Sequence, residues 1–562
     1  MHHSVDLFKK YSYIMDHDVA KPQLVSVAVC RHYLTEQALS SSYMEHSQEP
    51  KNNNKHRYNS CLSKTEHGCC RGGYNKGYQM NVINKTAIEL LADLRHRRIT
   101  ATELLEETIK HAEHVSQAYN PFSIKLYDRA RVAAARADEL LAKGLGGRLC
   151  GLPITVKDSQ WMAGVPSPNA SKTQIDFIPE ESSAAVRRLE EAGAVIFAKT
   201  TCPEFCLTGT TSSELNGVTT NPWNAERTCG GSSGGAGAAV AAGAGTLSLG
   251  GDGGGSIRIP AGFCGIVGFK PSFKAVPREP CFPSWSTIVS YGPMARSVAD
   301  ARLMFSVVAA NNNDKAYVDS LAAHARHPMT LAGQKIIVSE DLGFAPIDDD
   351  VRMTFRMTVR MLEEAGAEIA YDQPNLPSSV IAWATSAHYD SWSFQKEKPE
   401  PLEGLEASTI ETLQFGASMK DHEFEAAEEH REVIHAAYMS MFERNGSSFF
   451  LTPTLGMEAF SHTRRYPKYV GSTKITNPWL DWVTFLYDAN LTGMPALAQP
   501  MGLGDEGLPL SIQLSGPLGS DAAILDIAEQ IEKVIGWDNS PKDSIKEAQL
   551  RAQAQAEEQA AQ

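Results

Sequence analysis

Residues 250–261 read GGDGGGSIRIPA, five glycines around Asp252 and then Ser256. Glycine gives up more backbone entropy on folding than any other residue, roughly 0.5–1 kcal/mol against alanine inside an element. Its concentration here implies a use: positive φ, close approach of a ligand, or exposed N–H groups aimed at an anion. A serine hydroxyl attacks a carbonyl well only when a base takes its proton. The oxyanion that forms is held best by preorganised backbone N–H groups. Ser256, with the amides of Gly253, Gly254, Gly255 and its own N–H, suits that chemistry; a plain glycine turn suits the same residues. The missing part is the base. Lys157 closes the apolar run in GLPITVKDS (residues 151–159), where burial disfavours an ammonium ion. The alternative for Lys157 is a salt bridge, with Asp158 or Asp252 as the partner.

Other motifs compete for the same residue types. GGSSGG (residues 230–235) contains G-x-S-x-G, a nucleophile-elbow pattern that needs a strand immediately before it. TTNPWNAERTC (219–229) precedes it, with Pro222 and no apolar period, so an α/β-hydrolase-type esterase stands second. GAVIFAKT (193–200) approaches a phosphate-binding loop, but Ala198 replaces its second glycine and Val-Ile-Phe belongs in a buried strand. GGAGAAVAAGAG (234–245) lacks the strand and third glycine of a dinucleotide fingerprint, and reads as a small-residue helix packed on a sheet. His422, His430 and His435 fall in a charged helical run and read as a solvated face. Cys69 and Cys70, near His67, lack a second ligand pair and read as plain thiols.

Periodicity and caps supply the elements that must hold these groups. TAIE (86–89) and TATE (100–103) fit capping boxes and predict two successive helices. LEEAGAVIFAK (189–199) runs helix, terminating Gly193, then buried strand, and LEEAGAEIA (362–370) repeats that grammar. KIIVSE and FFLTPT read as strands. Val351, Phe355, Val359 and Leu362 mark a helix's core face, with Met353, Met357 and Met361 on a neighbouring stripe. The alternation predicts an α/β sheet with helices on both faces.

Composition sets the outer bounds. The 562 residues are 42% hydrophobic and 21% charged, as in ordinary globular proteins. Sixty-six acidic against 52 basic residues, a formal charge of −14, argue against a nucleic acid or an anionic membrane as main partner. No apolar run reaches the roughly 18–20 residues needed to span a bilayer, and Leu24–Val29 is too short for a signal segment, so a cytoplasmic protein is expected. Ten cysteines are too few and scattered for a disulfide scaffold. Residues 1–79 lack any period and predict a disordered extension. The folded domain is expected over 80–538, and a polar tail over 539–562.

GLPITVKDS, GGSSGG, GGSIRIPAGFCGIVGFKPS and YGPMARSVAD resemble, in that order, the amidase signature family of serine hydrolases. LTPT (451–454), LTGMPALAQPMG (491–502) and GLPLSIQLSG (507–516) resemble its C-terminal half. The likeness covers the whole of the expected folded domain. It implies a large mixed β-sheet covered by helices on both faces, and hydrolysis of a carboxamide, aryl amide or carbamate through an acyl-enzyme. No metal or organic cofactor is implied. By motif, Ser256 matches the nucleophile, Ser232 the bridging serine on a cis peptide bond from Gly231, and Lys157 the ultimate base. The two serines stand 24 residues apart, the family's spacing. Gly253, Gly254, Gly255 and Ser256 match its oxyanion hole. Asp252 and Arg258 match positions that brace the loop, Ser233 supports that network, and Cys206 and Thr208 match pocket-lining positions.

The partner implied is a small-molecule amide, with no nucleic acid and no membrane; a homodimer is compatible. The family also has a branch amidating transfer-RNA-bound glutamate within a multisubunit complex. This chain departs from the family in Ser159 and Thr201, where asparagine is usual, and in Gly251 and Gly253, where threonines are usual. Those extra glycines predict a softer loop or a roomier pocket. Residues 375–445, with Trp383, Trp392, Phe394 and Phe415, are expected to supply the substrate-specific wall.

Overall fold

The computed structural model describes residues 82–537, except 284, 310–323, 325, 377–378, 398–401 and 477–480, together with residue 541. The readings of 1–79, of Cys69 and Cys70, and of the tail beyond residue 541 lie outside the described residues. Both capping boxes form. Thr86 and Thr100 accept from the N–H three residues on, and Glu89 and Glu103 reach back, opening α1 (Ala87–Arg95) and α2 (Ala101–Tyr119).

Eleven strands build one sheet. In chain order they are β1 (Phe122–Lys125), β2 (Pro153–Lys157), β3 (Val195–Thr200), β4 (Leu247–Asp252), β5 (Val267–Lys270) and β6 (Ser290–Ala295). Then follow β7 (Lys335–Val338), β8 (Glu368–Tyr371), β9 (Phe450–Pro453), β10 (Ala496–Leu503) and β11 (Pro509–Ser515). Their spatial order is β1-β3-β2-β4-β6-β5-β10-β11-β9-β7-β8. The β3-β2-β4 and β9-β7-β8 groups are parallel and the remaining pairs antiparallel, so the sheet is mixed.

After α2 come α3 (Tyr127–Ala142), α4 (Ala184–Glu191), α5 (Gly234–Ala241), α6 (Arg258–Cys264), α7 (Val298–Val308) and α8 (Asp349–Glu364). α9 (Val380–Glu397), α10 (Ala407–Ala417), α11 (Asp421–Asn445), α12 (Tyr487–Leu491) and α13 (Asp521–Ile535) complete thirteen among the described residues. Alternation along β6 shows why both faces are covered. Met294 joins a cluster with Ala236, Val240, Ile257 and Ala261 of the α5–α6 side. Its neighbour Ala295 joins the large core with Ala301, Met304 and Phe305 of α7. Successive strand residues point to opposite faces, so each face needs its own helical cover.

The helix–glycine–strand segments fold as the sequence predicts. α4 stops before Gly193 (φ 85°) and α8 before Gly366 (φ 97°), each followed by a strand. Val351, Phe355, Val359 and Leu362 are buried, while Met353 and Met357 face solvent. One local expectation is corrected. Asn224–Thr228 does form a strand ahead of the serine pair, but it pairs with Thr220–Asn221 in a separate hairpin. A hairpin outside the central sheet does not give a nucleophile elbow its required support.

Candidate active site

Parallel strands β2 and β4 are neighbours, with Thr155 opposite Ser248 and Val156 opposite Leu249. Their last residues, Lys157 and Asp252, therefore leave the sheet at one edge, where α/β sheets bind ligands. The glycine loop runs from Asp252 through Ser256 into α6. The turn before α5 lies against it: the Ser233 N–H donates to Ser256 O at 3.1 Å, and the Gly231–Ser232 peptide is cis.

Lys157 is 1% exposed, and its Nζ donates to Ser232 Oγ at 2.7 Å and to Gly251 O at 3.4 Å. Neither carboxylate that the sequence offered is its partner. Asp158 accepts from Ser123 Oγ and the Ala170 N–H and faces Lys199 Nζ at 3.9 Å. Asp252 is taken by Arg258. Among the described residues no carboxylate lies within ion-pair distance of Lys157. Ser256 is 8% exposed, and among the described residues no hydrogen bond joins its Oγ to Ser232. The Lys157–Ser232 link is thus formed, while Ser256 is brought alongside by backbone contact.

The loop is held from below by a buried ion pair. Arg258 Nε and Nη2 donate to Asp252 Oδ2 and Oδ1 at 2.9 and 3.0 Å. Burial opposes ionisation of Asp252, but the Arg258 charge and hydrogen bonds outweigh it and hold the carboxyl well below the usual range. The same carboxylate accepts the N–H groups of Gly255 at 2.7 Å and Ile257 at 3.2 Å. This corrects the expected oxyanion hole: the Gly255 amide is committed inside the loop. The amides of Gly253, Gly254 and Ser256 take no partner among the described residues. Ser233 Oγ donates to Gly251 O at 3.2 Å, tying the serine turn to β4.

Of the two extra glycines, Gly253 leaves no room for a side chain, whereas a Cβ on Gly251 would make ordinary contact with Tyr291 at 3.4 Å. A Cβ on Gly253 would lie 2.6 Å from Trp285 Cε3, and one on Gly254 2.5 Å from Trp383 Cζ2. Gly255, at φ 111°, faces Leu486 and adopts a conformation that favours glycine. Aromatic rings fill the space that the missing side chains leave, and Trp383 Nε1 donates to Gly253 O at 2.7 Å.

A cavity of about 600 Å³ is lined in part by Asn169, which accepts from the Cys206 thiol, and Ser391, which accepts from Trp285 behind the glycine loop; its apolar wall is built by Trp161, Phe177, Phe205, Phe282, Phe394 and Leu413. Phe282 stacks against Phe205 and meets Phe394 edge-on. Of the expected wall in 375–445, Phe394 and Leu413 line the cavity and Trp383 backs the glycine loop, whereas Phe415 packs on His388. From the segment holding Cys206 and Thr208, the lining residues are Phe205 and Leu207. The Thr208 hydroxyl is spent on Thr210 O at 2.8 Å, and the Cys206 thiol donates to Asn169 Oδ1 at 3.4 Å. His422 is exposed, and His430 and His435 are half-buried on α11. No cluster of three metal-ligating side chains occurs among the described residues.

A family model described as Amidase matches residues 103–525. The chain belongs to the amidase signature family. It is 30% identical over 477 residues to a glutamyl-tRNA(Gln) amidotransferase subunit of Synechococcus sp. (strain CC9605), covering 78% of this chain and 94% of that protein. It is 28% identical over 487 residues to an acylamidase of Rhodococcus erythropolis, covering 83% and 99%. A bacterial aryl acylamidase of the same family shares the fold with a TM-score of 0.75 at 24% identity, over 84% of this chain and 99% of that one. A second solved amidase gives 0.72 at 29% identity, over 80% and 99%.

Within this amidase-family fold, several site residues carry no local signal in the sequence. Asn490 donates to both Asp252 O and Asp252 Oδ1 at 3.0 Å, and accepts from Arg258 Nη2 at 2.6 Å. Gln513 accepts from Arg258 Nη1 at 2.7 Å. Both lie more than 230 residues from their partners. Lys199 is a second fully buried lysine, donating to Ser167 Oγ at 2.6 Å and pushed down to about 8 by burial. Its charge faces Asp158, which leaves that carboxylate committed away from Lys157.

Proposed function

We propose that this chain hydrolyses the carbon–nitrogen bond of a carboxamide whose acyl or amine part is apolar. The observation that supports it most is the buried Lys157–Ser232 hydrogen bond, without a carboxylate on the lysine, beside a braced loop presenting Ser256. In this reading Ser256 Oγ adds to the substrate carbonyl carbon while its proton passes through Ser232 to Lys157 Nζ. The oxyanion is received by the free amides of Gly253, Gly254 and Ser256. The proton returns by the same path to the leaving nitrogen, which departs as an amine and leaves an ester on Ser256. Water then attacks that ester, giving its proton to the relay, and the acid leaves as Ser256 recovers its hydroxyl. Ser232 Oγ and Ser256 Oγ close to hydrogen-bonding distance on substrate binding, as catalytic contacts commonly do.

The aromatic cavity supports an apolar substrate group, since such walls gain affinity by burying apolar surface. The relatives named as components of an amidotransferase favour a second reading, in which the same centre serves a complex with partner proteins. A fluorophosphonate that labels active serines separates these readings from a non-catalytic protein. The adduct should map to Ser256 and vanish in Ser256→Ala. An amide panel then decides between the first two: anilides and fatty acyl amides should be cleaved in preference to glutamine. A preference for glutamine would reverse the order, and no adduct on Ser256 would sink both.

A further inference from the structure

We propose that Cys206 is an oxidation site for small hydroperoxides, and that Cys202 resolves it by closing a Cys202–Cys206 disulfide beside the Lys157–Ser232 pair. Its effect on activity rests on the reading of that pair given above; the thiol chemistry does not. Both sulfurs converge on one acceptor, Cys206 Sγ at 3.4 Å and Cys202 Sγ at 3.9 Å from Asn169 Oδ1. The two sulfurs are therefore neighbours, four residues apart in the chain, and Ser159 and Ser232 lie near Cys206. Cys202 is buried, whereas Cys206 is half-buried between Phe205 and Leu207, two residues of the cavity wall. Cys206 is therefore the more accessible sulfur of the two, the one that a small oxidant meets first.

The pair is chemically unequal. The contact with Cys202 holds the Cys206 thiol below its ordinary range, against burial. The same contact, with burial, pushes Cys202 up. Burial pushes up the other four described cysteines, Cys150, Cys229, Cys264 and Cys281. Peroxide reactivity follows thiolate character and access, so Cys206 is the selective target among the six described. Its sulfur attacks a peroxide oxygen and breaks the O–O bond, giving a sulfenic acid. The other oxygen leaves as alcohol or water, carrying the thiol proton. Cys202 then attacks the sulfenic sulfur, forming the S–S bond and expelling water. Two electrons pass from the sulfurs to the peroxide.

Closing the sulfurs to about 2.05 Å requires the Glu204–Cys206 turn to move. That turn holds Phe205 and Cys206 at φ 48° and 64°. Its movement takes Cys206 from Ser232 and shifts Phe205 in the cavity wall. The test uses full-length protein and hydrogen peroxide. Cys202 and Cys206 are the two cysteines of tryptic peptide 200–227, so the disulfide should appear as that peptide lightened by about 2 Da. Fluorophosphonate labelling of Ser256 should slow at least tenfold, and dithiothreitol should reverse both changes. In Cys202→Ser the disulfide should be replaced by a dimedone-trapped sulfenic acid on Cys206. Peptide 200–227 retaining two free thiols, under peroxide that oxidises exposed Met353, would overturn the proposal. A closed disulfide with an unchanged labelling rate would overturn its inhibitory effect. Absence of labelling in untreated protein would fail the proposed hydrolase alone and leave the mapped disulfide standing.

Discussion

Replacing Arg258 by methionine should reveal how firmly the serine loop is held. The guanidinium is fully buried and donates five hydrogen bonds, two to Asp252 and one each to Leu486 O, Gln513 Oε1 and Asn490 Oδ1. Removing one member of a buried pair leaves the other charge uncompensated and costs about 3–5 kcal/mol. Unfolding entropy scales at roughly 2 cal/mol/K per residue, so a folded body of this size should lose about 3–5 °C in Tm. Acid should shrink the defect. In the parent, the depressed Asp252 carboxyl contributes stability that is present above its unfolded pKa, about 3.9, and lost as pH falls through its folded value. Without Arg258, burial, already the largest single influence, meets only the Lys270 charge and the remaining hydrogen bonds, and the folded pKa rises from its parent value. The variant's deficit is then smallest in acid and grows as pH rises. Thermal melts from pH 3 to 8, run alongside Ser256 labelling rates, should show the two curves diverging toward neutrality. A variant within about 1 kcal/mol of the parent at pH 7, labelled at the parent rate, would show that this network does not hold the loop.

Lys157→Met should reduce amide hydrolysis by about 10²–10⁴-fold, the usual contribution of a positioned base, with substrate turnover as the readout and a folded melt as the control. Gly254→Ala sets a methyl group against the Trp383 ring, so the ring must shift and its bond to Gly253 O must weaken. Overpacking of this kind costs about 1–3 kcal/mol, and kcat should fall more than KM rises. Glu532, pushed up to about 7 chiefly by burial, contributes stability below about pH 4.5 that is lost as pH rises through 7. Glu532→Gln keeps the acceptor for the Val298 N–H and should raise stability at pH 8 by about 1–3 kcal/mol, seen in denaturant melts as a flatter pH profile.

What could be read from the chain alone was whatever short-range patterning determines. Thr86 and Thr100 announced their helices because a capping box is complete within four residues. Gly193 and Gly366 marked helix ends because only local backbone is needed there. The residue types around Lys157, Ser232 and Ser256 suggested their chemistry, yet their meeting depends on β2 and β4 being parallel neighbours. Asn490 and Gln513 were invisible because a buried amide gives no pattern until a partner more than 230 residues away is known. The glycine loop misled for a related reason. Sequence shows that side chains are missing from Gly253 and Gly254, but not that Trp285 and Trp383 occupy the space.

That filled space bears on how the site can bind a transition state. A loop with several adjacent glycines has many backbone states available, and an oxyanion hole works only if its donors are fixed before the charge forms. Here the fixing comes from outside the loop. Asp252 secures the N–H groups of Gly255 and Ile257, and Trp383 secures the Gly253 carbonyl. Trp285 and Trp383 meet edge-on, and Trp383 stacks on Tyr487 of α12. Trp285 in turn donates to Ser391 on α9, a residue of the cavity wall. The groups that confine the glycines are therefore continuous with those that line the cavity. On the proposed reading, a substrate filling the cavity presses on the same aromatic frame that aims the free amides, so substrate fit and turnover should change together when that frame is altered.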